Sequence, residues 1–129
     1  MGTVSDKRRA EIVRMLRVAV DSFADAVGSG RLGFDHAVAE YVERTDNELS
    51  RAFKDYVEAL RALRQAPPAG GEERPSSEEV RREMLWKIAD HFQVPEVTAF
   101  VEACLESQDK RLSIGDTLNK QARQLHKSQ

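Results

Sequence analysis

One cysteine, Cys104, excludes an intrachain disulfide and points to a reducing compartment. With only 6% aromatic residues and 4 prolines, the composition leans helical. No apolar run approaches the roughly 18 uninterrupted residues of a membrane-crossing helix. The N-terminal MGTVSDKRRAEIV passes from charged residues straight into an amphipathic pattern, so a secretory leader is not expected either.

Chemistry-bearing residues are also scarce. His36, His91 and His126 are the only histidines. His36 and Glu40 stand four apart on a helical stretch, but no second pair supplies the other ligands of a closed metal site. The acid pairs Glu72–Glu73 and Glu78–Glu79 lie in or beside a Pro/Gly-rich stretch, without the enclosure that tunes a general acid or base. AGGEERPSS lacks the lysine and the helix start of a phosphate-binding loop. The expectation is a protein with no enzymatic activity, no cofactor, no metal and no small-molecule substrate.

What is present suits one soluble domain over residues 1–129, with 33% charged and 40% hydrophobic residues. A chain of this length buries roughly 65 to 70% of its unfolded surface around a single core. The net charge of −2 conceals a pattern: residues 1–20 sum to +3 and 110–129 to +4, which leaves −9 between them. Basic ends bracket an acidic middle. They are either solvated helix faces or surfaces that sit near something negative, a membrane above all.

Apolar periodicity predicts six helices and no strand. Ile12, Leu16, Ala19, Phe23 and Val27 mark a first helix from Asp6 to Val27, ended by Gly28 and Gly30. A second begins near Phe34 with Ala37, Val38, Tyr41 and Val42 inward, and stops at Thr45. TDNE, read as a capping box on Thr45 and Glu48, opens a third through Leu49, Phe53, Tyr56, Val57, Leu60 and Leu63. Residues 66–77, APPAGGEERPSS, have no apolar period and are expected to form a flexible loop within one bundle. SSEE at Ser76 to Glu79 caps a fourth helix with Val80, Met84, Leu85, Ile88 and Phe92. Pro95 breaks it and starts a fifth with Val97, Phe100, Val101, Cys104 and Leu105, where Cys104 is expected to be buried and inert. The sixth runs from about Ser113 to Leu125, with Ile114, Leu118, Ala122 and Leu125 inward.

GRLGFDHAV (30–38) and KRLSIGDTL (110–118) share one template, 80 residues apart: Arg-Leu, a small residue, a large apolar residue, and an aliphatic four positions later. Each copy follows a long helix and opens a shorter one. The fold class expected is therefore all-α, an antiparallel helical bundle of about six helices with two pseudo-repeated helix–turn–helix corners.

In this order of elements the chain resembles the cytoplasmic domain of the type II secretion system F family, the Tad pilus platform proteins in particular. The segments that carry the resemblance are KRRAEIVRMLRVAVDSFADAVGSGRLGFDHAV, ELSRAFKDYVEAL, MLWKIADHFQVPEVTAFVEACL and KRLSIGDTLNKQARQL. The chain departs from the family in its long 66–77 segment and in having Asp109 and Lys110 where a glycine usually stands in the second turn. The resemblance implies a helical domain at the cytoplasmic face of the bacterial inner membrane, excised from a membrane protein. It would be part of the platform that couples a secretion ATPase to pilin assembly. The implied partners are that ATPase, companion platform proteins and possibly a second copy of the chain. Lys7, Arg8, Arg9, Arg111, Arg123 and Lys127 would then lie nearest the anionic leaflet.

The candidate partner-binding residues are Trp86, set off the apolar stripe of its helix, and the acids Glu48, Asp55, Glu58, Glu78, Glu79 and Glu83. Two alternatives stand beside the platform reading: a free-standing helical adaptor, and a helix–turn–helix DNA-binding protein built on KIADHFQVPEVTAFVEACL. The second fits poorly. Its recognition helix would carry Glu96, Glu102 and Glu106 with no Lys or Arg, and such a helix repels phosphates.

Overall fold

The computed structural model describes residues 5–65, 76–109 and 113–127, and these form six α-helices with no strand. They are α1 (Asp6–Gly28), α2 (Phe34–Arg44), α3 (Glu48–Gln65), α4 (Ser77–Phe92), α5 (Pro95–Asp109) and α6 (Ile114–Lys127). The expected loop at 66–77 falls outside the described residues except for Ser76 and Ser77, which are the cap and first residue of α4.

Local chemistry explains most boundaries. The Ser5 hydroxyl accepts the Arg8 amide at 3.2 Å and opens α1. After Gly28 the chain reverses through Gly30 at φ +74°, a left-handed conformation that costs glycine nothing, so the Arg31 and Leu32 amides both return to the Ala26 carbonyl. α4 carries the expected capping box: Ser76 Oγ accepts the Glu79 amide at 3.1 Å, and the Glu79 carboxylate accepts the Ser76 amide at 3.4 Å.

The cap of α3 is a correction. Thr45 ends α2, and the box forms two residues later between Asn47 and Ser50, each side chain accepting the other's amide at 2.8 Å. Asn47 is as good a cap as threonine, and using it frees Glu48 to reach across to other helices. At the α4–α5 corner the reversal falls on Gln93, in the left-handed region at φ 53°. Pro95 begins α5 as expected.

Each helix packs beside the next in sequence, and the ring closes where α6 lies along α1. Directions alternate. Gly115 approaches Val27 while His126 reaches back to Asp21, so α6 runs against α1. On α3 and α4, Glu48 meets His91 at one end, and Arg64 and Arg81 share Asp35 at the other.

Phe23 on α1 lies at the centre, with ring centroids 5.8 Å from Phe34, 5.5 Å from Tyr41, 5.5 Å from Phe53 and 6.4 Å from Phe100. Tyr56 adds edge contacts to Phe34 and Phe53. The few aromatics are thus concentrated where α1, α2, α3 and α5 meet, and edge-to-face pairs there add about 0.5–1.5 kcal/mol each to the burial. Val38 and Leu118, the aliphatics of the two templates, are both completely buried, and Phe34 and Ile114 line one groove. The remainder of the second template, residues 110–112, lies outside the described residues.

Candidate functional site

An α-helix turns about 100° per residue, so Glu79, Glu83, Trp86 and Asp90 fall in one strip along α4. All four are exposed, Trp86 by 41%. Leu85, Ile88, Ala89 and Phe92 take the opposite, buried side. The result is an indole flanked by carboxylates one turn before and one turn after it. Asp90 is a member that sequence reading missed, although its spacing from Trp86 was the available signal. Glu78 is exposed in the first turn of the same helix.

The remaining acids are dispersed. Glu48 and Asp55 line the groove between α3 and α4, together with Met84, Lys87, His91 and Asp90, the last residue of the Trp86 strip. Glu58 lines the next groove, between α2 and α3. Glu48 is held by Arg8 and by His91 Nε2 at 3.3 Å, and the hydrogen bond from Arg8 holds its carboxyl below the usual range. It ties α1, α3 and α4 together. Asp90 thus links the α4 strip to the groove that Glu48 and Asp55 line, and the strip adds the exposed indole of Trp86.

The basic residues divide similarly. Arg8 is engaged by Glu48, and Arg9 grips Glu96 on α5 through a fork, with Nε at 3.0 Å and Nη2 at 2.9 Å. Lys7, Arg123 and Lys127 are exposed, and Arg111 lies outside the described residues. The last turn of α6 reaches Asp21, near the middle of α1 and well along it from Lys7.

A second polar centre was not foreseen. Asp35, in the first turn of α2, accepts hydrogen bonds from Tyr56 Oη at 2.7 Å and from Arg81 Nε at 3.3 Å and Nη2 at 2.6 Å, and lies 3.8 Å from Arg64 Nη2. Burial pushes its carboxyl up, but the bonds from Arg81 and Tyr56 outweigh burial and leave it lowered. Because Arg64 ends α3 and Arg81 is near the start of α4, one carboxylate fastens both sides of the 66–75 connection to α2. No sequence spacing announces such a long-range cluster.

Cys104 is buried, and burial alone pushes its thiol up to about 12. Glu40 is occupied by Arg44 at 3.0 Å. Among the described residues no group of three His, Cys, Asp or Glu side chains converges as metal ligands do. No helix there is long and apolar enough to cross a membrane. No family model, curated protein or solved structure matches this chain.

Proposed function

We propose that the chain is the cytoplasmic domain of a type II secretion or Tad pilus platform protein, a non-catalytic helical body that passes motion from a secretion ATPase to pilin assembly. The observation that carries this reading is the pair of matching helix starts, Phe34 and Val38 on α2 and Ile114 and Leu118 on α6. Val38 and Leu118 occupy equivalent, wholly buried positions one turn into α2 and α6, as the family resemblance calls for. Interlocked aromatics and ion pairs across the bundle support a body that moves as a unit. The α4 strip would meet a basic surface of the ATPase, with Trp86 as apolar anchor and the acids steering encounter. Of the described candidates, Lys7, Arg123 and Lys127 are the cations left for the lipid surface, since Arg8 and Arg9 are engaged within the bundle.

Titrating the chain with the secretion ATPase at low and at physiological salt tests the reading. The expected result is a weak complex that weakens further with salt. No complex at low salt, or a micromolar, salt-sensitive complex with random duplex DNA, contradicts it. The exposed Trp86 also suits a free-standing adaptor. Membrane-spanning segments in the gene's full reading frame select the platform instead.

A further inference from the structure

The two template corners meet at a groove of about 390 Å³ unrelated to the α4 strip. Phe34, Leu85 and Ile114 give it apolar walls, and Asp35, Arg64 and Arg81 stand at its polar end. Two guanidiniums share one carboxylate there, which leaves one positive charge in excess. The two are not equivalent. Arg81 is committed to Asp35 through two N–H groups, and its side chain is only 23% exposed. Arg64 is 60% exposed, and its nearest approach is 3.8 Å to an oxygen that Arg81 already occupies at 2.6 Å. Among the described residues, then, the hydrogen-bonding fork of Arg64 is unfilled at the mouth of an apolar groove.

We propose that this corner groove docks a short acidic peptide segment of a partner protein, with an Asp or Glu carboxylate on Arg64 and an adjacent apolar side chain against Phe34, Leu85 and Ile114. A planar fork matches a carboxylate with two parallel bonds. One surplus charge balances a carboxylate better than a doubly charged phosphate. The apolar walls reward a side chain beside the acid, which a free anion does not have. The proposal stands independently of the platform reading and of the α4 strip.

The test titrates the isotopically labelled chain with an end-blocked peptide, Leu-Ser-Leu-Glu-Leu, and with its amide counterpart, Leu-Ser-Leu-Gln-Leu, following backbone amide resonances. The acidic peptide should shift the amides of Phe34, Leu85 and Ile114 and saturate, while the amide peptide binds about tenfold more weakly or worse. Arg64→Gln should cost the same factor and Arg64→Lys less, because the charge is kept and the fork lost. Arg51→Gln, a change of equal charge at a side chain 69% exposed and paired with Asp46, should leave affinity unchanged. The same spectra report whether each variant is folded. Equal binding of both peptides, equal loss in Arg51→Gln, shifts confined to other residues, or no shifts at millimolar peptide would each overturn the proposal.

Discussion

Cys104 and Asp35 are two residues whose surroundings alter their chemistry in ways that solution measurements can read. With its thiol pushed up to about 12 and its side chain buried among the core residues, Cys104 should not react with a thiol reagent at pH 8 until the chain is unfolded. Measuring modification with and without denaturant checks this, and rapid labelling of the native protein contradicts it. Asp35 has a sign that can be worked out. A carboxyl held below its ordinary 3.8 contributes stability at every pH above that value, and the contribution is lost as pH falls through the lower folded value. Asp35→Asn should therefore cost about 2 kcal/mol at neutral pH, the range for hydrogen bonds to a charged group. Its unfolding curve should also be flatter than wild type below about pH 4. A variant that keeps the wild-type acid dependence would place the titrating group elsewhere.

The helices themselves were largely legible. Apolar spacing named the buried faces of α1, α2 and α4 because an amphipathic helix must place residues such as Ile12, Leu16, Ala19 and Phe23 on one side. Glycine after α1 and proline opening α5 act through local backbone geometry, so they could be read directly. The cap of α3 misled because TDNE offers three capping side chains in a row, and only the tertiary demand on Glu48 for Arg8 and His91 selects Asn47. Gln93 was missed for a related reason. A non-glycine residue at φ 53° is held there by the packing of α4 against α5, not by its own preference. Gln93→Gly relieves that strain and should raise stability by about 0.5–1 kcal/mol, less whatever the added freedom of the unfolded chain removes. Chemical denaturation measures it, and a clear loss of stability would mean that the Gln93 side chain supports the corner.

Across the whole molecule, the acidic middle and basic ends of the sequence resolve into different roles. Arg8, Arg9, Glu48 and Glu96 pin the start of α1 to α3 and α5, whereas the α4 strip keeps its carboxylates exposed around an indole. Formal charge along a chain does not separate charges that lock the bundle from charges that stay exposed. Periodicity identified Trp86 as off the core stripe, but the groove that Asp90 shares with Glu48 and Asp55 needed the three-dimensional arrangement of α3 against α4. The decisive measurement is the pairing of affinity with stability for Trp86→Ala, read at low salt against the secretion ATPase proposed as the partner. Removing an indole that is 41% exposed should leave helical content intact and the melting temperature within a few degrees, while binding weakens by about 2 kcal/mol. A sharp fall in melting temperature with binding unchanged would make Trp86 part of the core and remove the α4 strip as the partner face.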